Sequence, residues 1–202
     1  MQPVLNIAFN AARKASKVIM YKYDRLDTIR VQEKDLGYFT SDVEKEAEGI
    51  IIDTLQESYP EHGILCEHRG QIQGTSEYEW VVDSLDGSTN FIHGFPHFCI
   101  SIALKHHDKV EHAMAYDPVR QELFSASRGR GAYLNDKRIR VSECKTLDKS
   151  LIGAGFPVRN KHQMQHFIKM FEAIFPKVSG MRRSGSSVLD LIYIAAGRLD
   201  GF

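Results

Sequence analysis

Three acidic residues in the first half of the chain are spaced in a way that suits metal chemistry. Asp83 and Asp86 lie three residues apart, and Glu67 precedes them on a separate segment. Two carboxylates in one cleft raise each other's pKa because like charges repel, and a divalent cation removes that conflict. Mg²⁺ prefers oxygen ligands of this kind, including a backbone carbonyl such as that of Leu85. The sequence therefore predicts a Mg²⁺ site at these residues.

The segment that follows Asp86 suits a phosphate group. Gly87 permits a close turn of the backbone, and Ser88, Thr89 and Asn90 can begin a helix whose first N–H groups point outward. Acidic metal ligands beside such a phosphate cradle are what metal-assisted hydrolysis of a phosphate ester requires. The alternative is that Asp-Gly-Ser-Thr forms only a turn and a helix cap, as an isolated Asp-Gly pair usually does.

Two short apolar segments are predicted to position the acids. Residues 80–82, Trp-Val-Val, form a buried strand that ends at Asp83, and residues 63–66, Gly-Ile-Leu-Cys, form another that ends at Glu67. A polar loop is expected between them, over residues 68–79. If both strands end at the same edge of a sheet, the carboxylates can meet in space.

The remaining elements are read from apolar spacing and from turn residues. The first 23 residues hold four basic residues and no acid, which is a feature of transit peptides. Their apolar residues also recur at helical spacing, so an amphipathic helix packed on the core is the favoured interpretation. The other predicted elements are a helix from Ser41-Asp42 to before Pro60, strands over 98–104, 110–116 and 122–127, a hairpin tip at 134–136, a helix over 161–175, and a helix after Gly185-Ser186-Ser187 that ends at Gly197.

The composition excludes several classes of protein. Lys plus Arg and Asp plus Glu number 26 each, and the zero net charge disfavours nucleic acid or an anionic membrane as a partner. Cys66, Cys99 and Cys144 lie far apart, which disfavours a disulfide framework and indicates a reducing, cytoplasmic location. The apolar runs are much shorter than the roughly 20 residues of a transmembrane helix.

The histidine pairs carry weaker signals. His93 and His97 have i, i+4 spacing, but Gly94 and Pro96 prevent the helix that would put both on one face, so no zinc site is expected there. His106-His107 is expected to form an exposed turn. The sequence contains no P-loop, no serine-hydrolase elbow and no zinc-protease motif.

One segment matches a family signature. Residues 80–91, Trp-Val-Val-Asp-Ser-Leu-Asp-Gly-Ser-Thr-Asn-Phe, resemble the W-x-[IV]-D-P-[IL]-D-G-T-x-N-F pattern of the inositol monophosphatase family. Leu5-Asn-Ile-Ala and the ending Ala195-Ala-Gly-Arg-Leu-Asp-Gly-Phe resemble its bacterial SuhB-type branch, and the resemblance covers essentially the whole chain. The other matching positions, in family order, are Lys34, Glu44, residues 63–70, Tyr116-Asp-Pro118, Arg128-Gly-Arg-Gly-Ala132, Gly155-Phe-Pro157 and Arg183-Ser-Gly-Ser-Ser187.

The resemblance implies both a fold and an activity. The fold is α+β, a layered αβαβα sandwich of the sugar-phosphatase type (inositol monophosphatase/fructose-bisphosphatase), over residues 1–202. The activity is that of a Mg²⁺-dependent, lithium-sensitive phosphomonoesterase, a homodimer acting on inositol 1-phosphate or a similar small polyol phosphate. The implied roles are metal binding by Glu67, Asp83, the Leu85 carbonyl and Asp86, phosphate binding by the N–H groups of Gly87 and Ser88, activation of the attacking water by Glu67 and Ser88, and contact with the polyol by Gly185, Ser186 and Ser187.

The sequence departs from the family pattern at the site and at its end. Ser84 replaces the usual Pro, Ser88 replaces Thr, and His68 replaces the second acid of a Glu-Glu pair. Family members continue beyond Phe202 with a substrate-binding Glu and a Trp-Asp motif whose Asp binds the second metal. The resemblance therefore implies a domain that is incomplete at its C-terminus.

A non-catalytic role is the second hypothesis. SuhB-type proteins associate with the transcription and ribosome-assembly machinery, so the same fold can act as an interaction surface. The expected loss of one metal ligand motivates this second hypothesis, and the phosphatase remains the first.

Overall fold

The computed structural model describes residues 2–35, 38–156 and 161–202, and the side chains of these residues except 33–35, 38, 39 and 161. Two parts of the family pattern, the Lys34 side chain and Pro157, lie outside the described residues.

Helices α1 (Pro3–Tyr23) and α2 (Asp42–Ser58) pack against each other and against one face of the main sheet. The buried face of α1 consists largely of alanines, whose small side chains allow the close approach of α2. At the start of α2, Ser41 and Glu44 form a capping box, in which each side chain accepts a backbone N–H of the other residue. Both helices lie where the sequence predicts them.

The main sheet contains both parallel and antiparallel strands. Its strands are β3 (Gly63–Cys66), β4 (Gly70–Ile72), β5 (Tyr78–Asp86), β6 (Cys99–His106), β7 (Lys109–Asp117), β8 (Glu122–Ser127), β9 (Gly131–Leu134) and β10 (Lys137–Arg138). Their order is β10-β9-β8-β7-β6-β5-β3-β4. Strands β3 and β5 are parallel, whereas the other neighbours are antiparallel. A separate hairpin, β1 (Val31–Asp35) and β2 (Tyr38–Ser41), precedes α2.

The opposite face of the main sheet is covered by α5 (Ser187–Ala195), whose Leu189 packs with Cys99 of β6 and Ala115 of β7. Beyond α5 lies a small parallel sheet of β11 (Leu151–Gly153) and β12 (Gly180–Arg182). This sheet is close to α5, because a Cβ on Gly153 would lie 3.6 Å from Cγ of Asp190, a residue of α5. Phe156, just after β11, contacts Phe167 of α4 (Met164–Ile174). The two rings meet edge to face, with their centroids 5.1 Å apart. The layers therefore follow the expected αβαβα order.

Several elements differ from the sequence predictions: the hairpin β1–β2 and the small sheet of β11 and β12 have no predicted counterpart, and the following segments have other bounds. The predicted loop over residues 68–79 contains β4, an edge strand too short to show an alternating pattern. Strand β5 is longer than the predicted segment 80–82, because it pairs with β6 along its length. The helix predicted over 161–175 begins and ends in 3₁₀ turns, and Pro176 lies in the second. Among the described residues, no helix combines the length and apolarity that a membrane span requires.

Candidate active site

Glu67 directly follows β3, and Asp83 lies at the corresponding position of the neighbouring strand β5. Strands β3 and β5 run in parallel, and Cys66 pairs with Val82 in their register. Glu67 comes directly after Cys66, and Asp83 directly after Val82. The two acids therefore lie side by side, with their backbones about one strand spacing of 4.8 Å apart across the sheet. Glu67 is exposed to solvent, and Asp83 is half-buried.

A bulge in β5 brings Asp86 to the same side as Asp83. The pairing of β5 with β6 shifts between these two residues, because Asp83 pairs with Ser101 and Asp86 with Cys99. In a regular strand, residues three apart point to opposite faces, whereas the extra residue of a bulge puts them on one face. The buried Ser84 lies within the bulge and donates a hydrogen bond to the carbonyl of Glu44 at 3.1 Å, which joins the bulge to α2.

The surroundings of Asp83 disfavour the ionised form of its carboxyl group. Burial and, next in size, the charge of Asp86 raise the pKa of Asp83 to about 7. Glu67 and Glu44 raise it further, whereas the N–H of Leu85, which donates to Asp83 Oδ1 at 3.1 Å, lowers it. The charges of three other carboxyl groups thus act on Asp83. A divalent cation relieves such repulsion, and the donor set of carboxylate and carbonyl oxygens fits Mg²⁺.

Asp86 is also bound to the start of α5. Its Oδ2 accepts hydrogen bonds from the hydroxyl of Ser186 and from the N–H of Val188, the latter at 2.9 Å, and its Oδ1 lies 3.4 Å from the Ser187 hydroxyl. Ser186 is also the N-cap of α5, since its Oγ accepts the N–H of Leu189. Ser186 is 1% exposed whereas Ser187 is exposed to solvent, so the two hydroxyls have different surroundings.

This network predicts different effects for the two serines. Ser186→Ala removes both the α5 cap and a donor to Asp86, so the free energy of unfolding should fall by about 1–2 kcal/mol. Ser187→Ala, the control, should change it by less than about 0.5 kcal/mol, since Ser187 is exposed. Thermal and urea unfolding would measure both. Equal effects would show that the buried hydroxyl does not stabilise α5.

Gly87 occupies a position that excludes any side chain. Its φ of 100° lies in the left-handed region, and a Cβ there would be 2.9 Å from the carbonyl oxygen of His97 and 3.1 Å from Phe98 Cα. Helix α3 (Ser88–Ile92) follows directly and has five residues. At its start, the Ser88 hydroxyl donates to the Leu85 carbonyl at 3.0 Å. The turn therefore lies directly beside the acidic cluster.

Two buried acids of α2 support the site and were missed or understated by the sequence analysis. Glu48 is fully buried and accepts the N–H groups of His68 and Arg69 at 3.0 and 2.9 Å, which fixes the loop after Glu67. Glu44 is buried and contacts His68 Nε2 at 3.2 Å. The signal was present, because both acids share the inward face of an amphipathic helix, where a charged residue needs a partner.

Comparison with known proteins identifies the family. Residues 1–202 match the model of the inositol monophosphatase family. The chain belongs to the inositol monophosphatase family. Within this family it is similar to Nus factor SuhB of Pseudomonas aeruginosa, with 49% identity over 207 residues that cover 100% of this chain and 76% of that protein.

Solved structures of inositol monophosphatase relatives share the fold. The extragenic suppressor protein SuhB from Bartonella henselae is 36% identical, with a TM-score of 0.95 over 98% of this chain and 76% of that one. Inositol monophosphatase from Anabaena (Nostoc) sp. PCC 7120 is 32% identical, with a TM-score of 0.80 over 96% of this chain and 71% of that one. The family and the layered α+β fold predicted from the sequence are confirmed.

Proposed function

We propose that this chain is a Mg²⁺-dependent phosphatase that hydrolyses a small polyol phosphate, in particular inositol 1-phosphate. The observation that carries the proposal is the convergence of Glu67, Asp83 and Asp86 from two parallel strands, directly beside the Gly87–Ser88 turn. Membership of the inositol monophosphatase family and similarity to the Anabaena enzyme of that name support the same activity.

The carboxylates of Glu67, Asp83 and Asp86 and the carbonyl of Leu85 would hold the metal. When bound there, Mg²⁺ lowers the pKa of a coordinated water and offsets the charge that develops on the phosphoryl group. Glu67 is exposed and ionisable, so it can accept the proton of the attacking water. The Ser88 hydroxyl, held at 3.0 Å from the Leu85 carbonyl, orients that water together with Glu67.

The phosphate and the polyol contact the chain on two sides of the acids. The N–H groups of Gly87 and Ser88 bind phosphate oxygens as individual donors, because the first N–H groups of a helix have no partner within it. On the other side, the exposed Ser187 contacts the polyol, and Gly185 (φ 91°) shapes that turn. The buried Ser186 then acts on the substrate through Asp86, to which it donates.

Release of inorganic phosphate tests the activity directly. Purified protein should release phosphate from inositol 1-phosphate only when Mg²⁺ is added, and lithium should inhibit the reaction. Fructose 1,6-bisphosphate and phosphoadenosine phosphate, substrates of related branches, should be poorer substrates. Phosphate release that is unchanged by a chelator, or none at saturating Mg²⁺, would contradict the proposal.

A role in transcription is the second candidate. The Pseudomonas relative, at 49% identity, is a Nus factor, which favours a similar partner for this chain. The two roles can be separated, because a variant without metal binding should lose phosphatase activity and keep a scaffold role. Co-purification of RNA polymerase with both the wild type and such a variant would support the scaffold. Binding lost by the variant would contradict an independent scaffold role.

The assembly and location are also proposed. We infer a homodimer by analogy with the family. We infer a cytoplasmic location because the three cysteines are free thiols, two of them buried. Light scattering of the purified protein would decide the oligomeric state, and a monomer at all concentrations would contradict the dimer.

A further inference from the structure

A second cluster of metal-ligating side chains lies at the opposite end of β5 from the acidic site. Tyr78, the first residue of β5, pairs with His106, the last residue of β6. At about 3.3 Å per residue, Tyr78 lies about 17 Å from Asp83 along the strand. Glu77 precedes this pair and His107 follows it, so three candidate ligands meet where the two strands end.

The distances from Glu77 to both histidines match the spacing of ligands in a tetrahedral metal site. Glu77 Oε2 lies 3.3 Å from His106 Nε2 and 3.4 Å from His107 Nε2, and one ligand atom from each residue lies within 4.8 Å of the others. Two ligands bound at 2.0–2.1 Å to a tetrahedral Zn²⁺ are about 3.3–3.4 Å apart. Because the His107 side chain is exposed, its ring is free to rotate toward the His106 nitrogen when a metal binds.

The backbone and the neighbouring rings hold the cluster in place. The N–H of His107 donates to the carbonyl of Glu77 at 3.1 Å, which ties the turn to the start of β5. His107 has a φ of 51°, a left-handed conformation that Gly or Asn adopts more readily. The His106 ring stacks on Tyr78 with centroids 4.5 Å apart. The expected exposed turn at His106-His107 is thus a strand end and a turn that share one carboxylate.

We propose that Glu77, His106 and His107 bind a divalent transition-metal ion of the Zn²⁺ class. Two imidazoles and one carboxylate suit Zn²⁺, whereas Mg²⁺ prefers oxygen ligands, so the two ends of β5 bind different metals. The side chains of His107 and Glu77 are 61% and 66% exposed, which leaves the fourth position to water. Such an open site binds its ion reversibly and links β5 to the β6–β7 turn. The proposal is independent of the phosphatase function.

Calorimetric titration with Zn²⁺ in excess Mg²⁺ tests this site. The protein titrated is the Asp83→Asn variant, because this substitution should weaken Zn²⁺ binding at the acidic cluster. The further substitutions are made in this variant. One Zn²⁺ per chain should still bind, and Glu77→Gln, His106→Gln and His107→Asn should each weaken binding at least about tenfold. His166→Asn, which changes an exposed histidine of α4, is the matched control and should bind Zn²⁺ as its parent does.

The outcomes decide the proposal in either direction. Glu77 and His107 are exposed, so these two variants should fold and remain informative even if His106→Gln is unstable. Loss of Zn²⁺ binding in both, with binding intact in His166→Asn, would support the site. Unchanged binding in Glu77→Gln and His107→Asn, equal loss in His166→Asn, or no binding in the Asp83→Asn background would overturn it.

Discussion

Asp83→Asn is expected to reduce kcat/KM for phosphate release at least about 100-fold, because even residues that merely support metal ligands contribute about 10- to 100-fold. The substitution removes the carboxylate on which the charges of Glu67 and Asp86 act, and with it one of the negative charges of the proposed Mg²⁺ site. The amide oxygen of Asn can still accept the Leu85 N–H, so the local fold should be retained. Much higher Mg²⁺ concentrations should be needed for any residual activity.

The same variant should make the metal-free protein more stable. The folded-state pKa of Asp83 is raised from 3.8 to about 7, so the folded state binds a proton that the unfolded chain releases between these values. Ionisation of Asp83 therefore opposes folding: the penalty is absent below about pH 4, grows from about pH 4 to 7, and is complete above that range. Asn carries no such penalty, so at pH 8 we expect a gain of about 1–3 kcal/mol in the free energy of unfolding.

Chemical unfolding in the presence of a chelator, at pH 4 and pH 8, measures this gain. The stability difference between Asp83→Asn and the wild type should be larger at pH 8, and Mg²⁺ should reduce it by stabilising the wild type. Asp53→Asn removes an exposed acid of α2 and is the matched control, with unchanged activity and stability at both values of pH. A variant that is less stable than the wild type at pH 8 would contradict the electrostatic account of the site.

The sequence predicts features that depend on local chemistry. The cap at Ser41, the buried strand around Trp80 and the turn at Gly87 all follow from residues close together along the chain. The position of Glu67 beside Asp83 needs one further condition, that two apolar strands end at the same edge. Their parallel pairing satisfies that condition, although periodicity alone does not distinguish parallel neighbours from distant strands.

Features that depend on distant contacts could not be predicted in this way. The bulge that aligns Asp83 with Asp86 is a property of the pairing with β6, and no residue type marks it. The hydrogen bond from Ser186 to Asp86 joins residues 100 positions apart. Ser186 is predicted to contact the polyol, and the structure places its hydroxyl in a buried position where it donates to Asp86. Burial decides such roles, and burial depends on the whole fold.

Gly87→Ala is expected to be the most damaging small substitution in the turn. Left-handed backbone costs a residue with a Cβ about 1–2 kcal/mol. The new methyl would also lie 2.9 Å from the His97 carbonyl oxygen, so backbone must move, at a further cost of about 1–3 kcal/mol. A displacement of the Gly87 and Ser88 N–H groups by about 1 Å would misplace the phosphate and lower kcat/KM about 100-fold.

Gly129→Ala separates these two costs. Gly129 has a φ of 73°, also left-handed, but a Cβ there would meet no described atom within 4 Å. It follows β8, outside the acidic cluster, so its variant should lose about 1–2 kcal/mol of stability through backbone strain alone and keep its activity. The excess loss in Gly87→Ala then measures the steric conflict with residues 97 and 98. If both variants have the same free energy of unfolding and both hydrolyse inositol 1-phosphate at the wild-type rate, the position of Gly87 does not require a glycine. Its N–H group then does not bind the phosphate.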